Sequence, residues 1–121
     1  MLVVDDDPSI RLVIRRMLEA SKFVVVAVGT GAAALEALDG ETPIGAAMVD
    51  VVLPRMRGSA LVERLRRRAP GLVVVLMSGY ARDDLQDNDL VGCDVFLNKP
   101  FERVHLVETL EALLSRDAPT P

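Results

Sequence analysis

The sequence predicts an α/β protein in which five parallel strands form a doubly wound sheet. Five short apolar runs alternate with five segments of helical pattern along the 121 residues. Strands of a parallel sheet are covered by helices on both faces, so they are expected to be continuous apolar runs. The intervening helical segments provide the crossover connections that parallel strands require. A chain of this length is typical of one domain.

The first strand and the first helix open the chain. Residues 1–4 are apolar and predict the strand. Asp7 and Pro8 then begin the helix, because Asp is a favoured N-cap and Pro is tolerated at the first helical position. Apolar residues at helical spacing predict the buried face of this helix: Ile10, Val13, Ile14, Met17 and Leu18.

The second strand, second helix and third strand follow in the same alternation. Residues 23–27 are mostly β-branched, which favours a strand. Thr30 is placed to cap the second helix, and Gly40 is placed to end it. Residues 44–49 form the next apolar run and predict the third strand.

The third helix and the fourth strand occupy the middle of the chain. A turn is expected between Pro54 and Gly58, after which Ser59 begins the helix and Pro70 ends it. Residues 72–77 are apolar without interruption and predict the fourth strand. The residues expected to face the core from the third helix are Leu61, Val62 and Leu65.

The last third of the chain completes the alternation. Residues 81–89 are rich in Asp and Asn, which compete with helical hydrogen bonding, so a short and weakly held fourth helix is expected. Residues 94–97 predict the fifth strand and residues 102–115 the fifth helix. We expect one domain over residues 1–116 and a flexible polar tail over 117–121. The inward residues of the fifth helix are predicted to be Val104, Val107, Leu110, Leu113 and Leu114.

Composition excludes several classes of protein. The net charge of −4 argues against a general nucleic-acid binder. The basic cluster of Arg64 and residues 66–68 is interpreted as a solvated helix face. No apolar run approaches the roughly 20 residues of a membrane span. Cys93 is the only cysteine, which suits a reducing compartment. We therefore expect a cytoplasmic domain without direct nucleic-acid or membrane contacts.

Polar residues stand where the predicted strands end. Asp5 and Asp6 follow the first strand, Asp50 the third, Ser78 the fourth and Lys99 the fifth. In a doubly wound sheet of order 2-1-3-4-5, ligands bind at the carboxyl ends of strands one and three, where the strand order reverses. A flavodoxin-like (βα)5 sandwich of this order would bring the three carboxylates, the hydroxyl and the ammonium group together.

Such a cluster suits magnesium and a phosphoryl group. Three carboxylates in one place repel each other unless a positive charge compensates them. Mg²⁺ prefers oxygen ligands and combines one or two carboxylates with water and phosphate oxygens. Phosphoryl transfer needs positioning and charge neutralisation, which a hydroxyl, a lysine and a cation can supply around a nucleophilic carboxylate.

These motifs resemble the receiver domains of two-component response regulators, and the resemblance covers essentially the whole chain. The motif Ser78-Gly79-Tyr80 is similar to the one found in receiver domains of hybrid histidine kinases. The sequence is also compatible with a stand-alone response regulator. The motifs that carry the resemblance, in order, are Val3-Val4-Asp5-Asp6-Asp7-Pro8, Asp50 with Pro54 and Gly58, Met77-Ser78-Gly79-Tyr80, and Asn98-Lys99-Pro100-Phe101.

The resemblance implies a phosphoacceptor and a metal site. Asp50 would accept a phosphoryl group from a histidine kinase or a histidine phosphotransfer protein. Asp6 and Asp50 would bind Mg²⁺ directly, Mn²⁺ being a substitute. Asp5 would act mainly through water, and the backbone carbonyl of Val52 would be a further ligand.

The resemblance also implies a conformational switch. Ser78 would hydrogen-bond the phosphoryl oxygens, and Lys99 would pair with them through a backbone that is cis at Lys99-Pro100. Phe96, at a position where many relatives have Tyr, would move together with Ser78 between two conformations. The Asp-rich segment 81–89 would be the weakly held part of the chain that changes position. A homodimer through helix four, strand five and helix five is a further family expectation.

Two other functions are weighed against this one. The first is a receiver-like interaction module that never gains phosphate, which the intact site residues argue against. The second is an aspartate-based Mg²⁺ phosphohydrolase, which would need an acid/base Asp two residues after Asp50, where the chain has Val52. We therefore expect a domain that supports its own phosphorylation and dephosphorylation and does not turn over an external substrate.

Overall fold

A five-stranded parallel sheet organises the computed structural model, which describes residues 1–79, 85, 87–90 and 92–116. The strand order is β2-β1-β3-β6-β7. The strands β4 and β5 form a separate short hairpin, and without them in the numbering this is the predicted order 2-1-3-4-5. In chain order the elements are β1 (Leu2–Val4), α1 (Pro8–Ala20), β2 (Val26–Val28), α2 (Gly31–Leu38), β3 (Ala46–Asp50), β4 (Val52–Leu53), β5 (Met56–Arg57), α3 (Gly58–Arg68), β6 (Val73–Ser78), a 3₁₀ helix (Asp87–Leu90), β7 (Val95–Asn98) and α4 (Arg103–Arg116).

The core forms two layers, one on each face of the sheet. Successive strand residues point to opposite faces, so Val3 and Met48 lie in one layer while Val4 and Val49 lie in the other. Helices α1 and α4 cover the first layer, and α2 and α3 cover the second. Residues that these helices bury include Ile14, Leu18, Leu106 and Leu110 in the first layer and Ala34, Leu61, Val62 and Leu65 in the second.

Helix caps agree with the sequence, while the second strand begins later than predicted. The Asp7 carboxylate accepts from the backbone of Ser9 at 2.9 Å, and Thr30 Oγ1 accepts from Ala33 N at 3.1 Å. Phe23 was expected to start the second strand, but its N–H donates to Leu18 O at 3.0 Å and so belongs to the end of α1. The ladder with β1 therefore begins only at Val26.

The hairpin of β4 and β5 was not predicted from the sequence. It lies in the segment expected to be a turn, and its strands pair antiparallel, Val52 with Arg57 and Leu53 with Met56. Its backbone then packs against the end of β3. A side chain at Gly58 would place its Cβ 2.5 Å from the carbonyl oxygen of Asp50, so only glycine permits this close approach.

Two helical positions predicted to face the core are exposed. Val13 of α1 is 51% exposed, and Val104 of α4 is 57% exposed. In α4 the structure buries Leu106 together with the predicted Leu110 and Leu113, so the helix is rotated toward Leu106 and away from Val104 relative to the predicted stripe. Helical spacing alone does not settle this rotation when apolar residues lie on more than one side of a helix.

The predicted fourth helix falls mostly outside the described residues, and the tail over 117–121 lies outside them entirely. Within that segment the chain forms the 3₁₀ helix Asp87–Leu90. Among the described helices, none combines the length and apolar character needed to cross a membrane.

Candidate functional site

The structure brings the predicted polar residues to the carboxyl edge of the sheet. Asp5 follows β1, Asp50 is the last residue of β3, and these two strands are neighbours at the point where the strand order reverses. Ser78 is the last residue of β6, and Lys99 directly follows β7. The Lys99 N–H donates to the Ser78 carbonyl at 2.8 Å, so the backbones of these two residues meet at the same edge.

Lys99 links the carboxylates of the two neighbouring strands. Its Nζ lies 2.6 Å from Asp5 Oδ2 and 2.7 Å from Asp50 Oδ2. The side chains are largely enclosed, with 14% of Lys99, 1% of Asp5 and 10% of Asp50 exposed to solvent. Burial strengthens these charge-assisted bonds because little water screens them. The bond between Lys99 and Pro100 is cis, as the resemblance implies.

Backbone amides hold the other oxygen of each carboxylate. Asp5 Oδ1 accepts from Asp7 N at 2.9 Å, and Asp50 Oδ1 accepts from Val52 N at 2.9 Å. Each carboxylate therefore has one oxygen on a backbone N–H and the other on Lys99. This arrangement fixes the direction in which each carboxylate faces before any ligand arrives.

Burial and charge act in opposite directions on the titration of this pair. Burial raises the pKa of Asp50, an effect that the hydrogen bonds from Lys99 and Val52 only partly offset. Burial alone would lower the pKa of Lys99, but its bonds to Asp5 and Asp50 outweigh burial and raise it. Lys99 is thus held in its charged form, while the charge on Asp50 is costly without a further cation.

Asp6 completes an acidic cluster that fits a magnesium ion. One carboxylate oxygen from each of Asp5, Asp6 and Asp50 lies within 4.8 Å of the others. Asp5 and Asp50 are buried, whereas Asp6 is exposed and leaves the cluster open on one side. Hard oxygen donors with an open side match the preference of Mg²⁺ for few protein ligands and several waters. The predicted carbonyl ligand of Val52 stays a prediction.

The residues predicted to switch occupy different depths. Ser78 is 1% exposed at the end of β6. Phe96 pairs in register with Leu76 and packs, half-buried, against the core layer under α2 and α3. Its place is therefore compatible with an ordinary core phenylalanine as well as with a moving one, and its role as a switch stays a prediction.

Two further contacts involve arginines that were not among the predicted site residues. Arg11 Nη1 donates to the carbonyl oxygen of Asp5 at 2.8 Å. Arg57 in the hairpin pairs with the buried Asp89 of the 3₁₀ helix, its Nε lying 2.9 Å from Asp89 Oδ1. The sequence did offer a signal for the first contact, because Arg11 stands in the first helical turn after the acidic run of residues 5–7. The second joins residues 32 apart in sequence and has no local signal.

A flavodoxin-like sheet whose switch point joins an acidic cluster to a lysine defines a receiver-type signalling domain. The sequence matches the response regulator receiver domain family over residues 1–111. The chain therefore belongs to that family.

Similar proteins agree with this assignment. The response regulator MprA of Mycobacterium sp. strain KMS is 32% identical over 122 aligned residues, which cover 98% of this chain and 52% of the relative. A CheY-like receiver domain from Methanospirillum hungatei JF-1 is 28% identical with a TM-score of 0.87, covering 96% of this chain and 93% of that one. A sensor protein from Polaromonas sp. JS666 is 30% identical with a TM-score of 0.83, covering 97% and 96%. The chain spans about half the length of the curated relatives it matches.

Proposed function

We propose that the chain accepts a phosphoryl group on Asp50 from a histidine kinase or a histidine phosphotransfer domain and passes the signal on by changing conformation. The observation that carries the proposal is the position of Lys99, whose Nζ lies within hydrogen-bond distance of both Asp5 and Asp50 at the switch point of the sheet. The proposal makes the domain a phosphorylated signalling module with no external substrate to turn over.

Asp50 is the carboxylate best placed to act as the nucleophile. Asp5 is more deeply covered, with 1% of its side chain exposed against 10% for Asp50. Asp6 is exposed at the rim of the cluster. Asp50 alone combines a backbone amide on one oxygen, Lys99 on the other and access to the open side of the cluster. Its position at the end of a rigid interior strand favours a fixed attack direction.

In the proposed transfer, a carboxylate oxygen of Asp50 forms a P–O bond while the P–N bond to the donor imidazole breaks. The imidazole nitrogen keeps the bonding electron pair and takes up a proton. The ammonium group of Lys99 is placed to neutralise a phosphoryl oxygen, and Ser78 would provide a hydroxyl at the neighbouring strand end.

Asp5, Asp6 and Asp50 are the residues that would hold Mg²⁺, with Mn²⁺ as a substitute. A bound divalent cation would neutralise the charge that gathers on the phosphoryl oxygens during transfer. The raised pKa of Asp50, which follows from its burial, supports a site that gains from an additional cation.

We propose two kinds of longer protein as the setting of this domain. The similarity to a sensor protein from Polaromonas supports a sensor protein as one setting, and the response regulator MprA, of which the aligned part covers 52%, supports a longer response regulator as another. We also propose that the protein is cytoplasmic. We further propose a homodimer through the face formed by β7, α4 and the segment before β7.

Direct nucleic-acid binding by this domain is not part of the proposal. Three of the four arginines of α3 are engaged with acidic side chains of the same chain: Arg66 with Asp94, Arg67 with Glu63 and Arg68 with Asp39. These ion pairs support the interpretation of α3 as a solvated face.

Intact mass spectrometry tests the proposal. The protein is incubated with Mg²⁺ and either acetyl phosphate or phosphoramidate, beside an Asp50→Asn variant. We expect one phosphoryl adduct that requires Mg²⁺ and is absent from the variant. No adduct from either donor would favour the alternative, an interaction module that works without phosphate. Release of phosphate from other substrates would favour a phosphohydrolase, for which Val52 is the wrong residue at the acid position.

A further inference from the structure

We propose that Arg11 is a positioning residue for the acidic cluster and that Gly29 provides the space its guanidinium occupies. The role concerns the same carboxylates as the proposed function, on which the inference therefore rests. Arg11 would act through the backbone of Asp5 and Asp6 and would not touch the metal or the phosphoryl group.

The contact joins the first helix to the end of the first strand. Arg11 lies in the first turn of α1, where its N–H donates to Asp7 O at 2.9 Å. Long side chains of a helix point back toward its N-terminus, which directs the Arg11 guanidinium to the end of β1. There Nη1 donates to the carbonyl oxygen of Asp5 at 2.8 Å.

The bonded carbonyl belongs to the peptide group that connects Asp5 and Asp6. Consecutive residues of an extended chain point in opposite directions, so two neighbouring carboxylates face one cation only if the chain turns between them. The chain leaves β1 at Val4 and bends at Asp6, and both carboxylates reach the cluster with Asp50. The orientation of this single peptide therefore decides whether both can contribute.

Hydrogen bonds hold the peptide groups on both sides of the Asp5 Cα. Asp5 N donates to Val28 O of β2 at 3.2 Å, which extends the strand ladder by one bond. Arg11 then holds the carbonyl of the same residue. Losing the guanidinium would remove the bond to the peptide between Asp5 and Asp6, while the preceding peptide would stay bonded to Val28. The carboxylate of Asp6 would then be less well directed.

Gly29 follows β2 and lies beside the guanidinium. A Cβ at this position would be 2.7 Å from Arg11 Nη1 and 3.9 Å from the Asp5 carbonyl oxygen. The backbone of Gly29 lies outside the left-handed region, so alanine can adopt the same conformation. Gly29→Ala therefore tests the space next to Arg11 without straining the backbone.

The experiment measures Mg²⁺ binding to the unphosphorylated protein by isothermal titration calorimetry. The variants are Arg11→Gln, Arg11→Lys, Gly29→Ala and the double variant Arg11→Gln with Gly29→Ala. Gly45→Ala is the matched control, because a Cβ at Gly45 meets no atom within 4 Å. Thermal unfolding in a chelator establishes that each variant is folded and separates a loss of stability from a loss of metal affinity.

We expect Arg11→Gln to weaken Mg²⁺ binding about 10-fold, at the lower end of the range for partners that orient metal ligands. Arg11→Lys should keep most of the affinity, since an ammonium group can still donate to the Asp5 carbonyl. Gly29→Ala should weaken binding in the parent but add nothing in the Arg11→Gln background, because it acts by displacing the guanidinium. Gly45→Ala should match the parent.

Equal Mg²⁺ affinity in the parent and Arg11→Gln would overturn the positioning role. This holds even if the melting temperature fell, because Arg11 would then contribute only to the stability of the fold. An undiminished effect of Gly29→Ala in the Arg11→Gln background would overturn the link between the two residues. A parent that binds no Mg²⁺ would overturn the metal site of the proposed function and the inference with it. The titration of the parent protein therefore distinguishes failure of the proposed metal site from failure of the inference about Arg11.

Discussion

Lys99 Nζ lies 2.7 Å from Asp50 Oδ2, and the same ammonium group lies 2.6 Å from Asp5 Oδ2. The lysine thereby occupies the two buried carboxylates that a divalent cation would also use. Without a metal, Lys99 is their shared counter-charge. With a metal and a phosphoryl group, it would be free to pair with a phosphoryl oxygen. We therefore expect stability and metal binding to be coupled through this one side chain.

Replacing the lysine separates these two effects. Lys99→Met keeps much of the apolar volume of the side chain and removes its charge. The free energy of unfolding of the metal-free protein should fall by about 2–3 kcal/mol, because two buried carboxylates lose their charged partner. Mg²⁺ affinity should rise several-fold, since one positive charge has left the acidic cluster. Urea unfolding in a chelator and calorimetric titration measure the two quantities.

The other lysine offers a control for this prediction. Lys22 is exposed at the end of α1, so Lys22→Met should change neither quantity appreciably. Unchanged stability and unchanged Mg²⁺ affinity in Lys99→Met would contradict the role of Lys99 as counter-charge.

Removing the charge of Asp50 should stabilise the metal-free fold. Because the pKa of Asp50 is raised in the folded state, the folded protein takes up this proton more readily than the unfolded chain. The charged carboxylate therefore costs stability above the raised pKa, and the cost disappears as the pH falls below the unfolded value. Asp50→Asn should raise the melting temperature at pH 7 by a few degrees, and the gain should shrink in acid.

Melting curves in a chelator between pH 4 and pH 8 follow this difference. Glu108→Gln on the exposed side of α4 is the control for the loss of one negative charge. A stabilisation by Asp50→Asn that grows as the pH falls would have the wrong sign for a raised pKa.

Val52 should prolong the life of the phosphoryl group. It follows the acceptor by two residues and is 49% exposed, so it stands at the entrance to Asp50 without a side-chain group that can orient water. Val52→Asn adds such a group and should speed phosphate loss several-fold. Val52→Leu, which stays apolar and is close to Asn in size, controls for bulk. Decay of the adduct after removal of the donor is followed by intact mass, and an Asn variant that decays no faster than the parent rules out this role.

The ion pair of Arg57 and Asp89 should contribute more to stability than a surface pair. The Asp89 side chain is 5% exposed, and two guanidinium nitrogens of Arg57 contact the same carboxylate oxygen. Arg57→Ala should cost about 1–2 kcal/mol, because a buried carboxylate loses a charged partner. Arg67→Ala removes a pair with Glu63 that is exposed on α3 and should cost about 0.3 kcal/mol. Urea unfolding compares them, and equal losses would show that burial of Asp89 is unimportant.

The elements that sequence predicts well here are those with a strong local signal. The apolar run over 72–77 and the caps at Asp7 and Thr30 are such signals, and the structure contains the strand and both helices that they announce. The acidic cluster was predictable for a related reason. Once parallel strands are expected, topology alone brings residues such as Asp5 and Asp50 to one edge.

Features that depend on tertiary packing were not predictable. Each strand of the hairpin of β4 and β5 is two residues long, which is too short to show an alternation of apolar and polar residues. The exposure of Val13 and Val104 depends on how α1 and α4 rotate against the sheet. The contact of Arg57 with Asp89 depends on a distant segment, and no pattern within either segment indicates the other.

Chemical trapping of an acyl phosphate tests whether Asp50 carries the phosphoryl group. Borohydride reduces a phosphorylated aspartate to homoserine, and peptide mass spectrometry then locates the modified residue. After incubation with Mg²⁺ and acetyl phosphate, we expect homoserine at position 50 and unmodified aspartate at positions 5 and 6. Homoserine at position 5 or 6, or at none of the three, would contradict it.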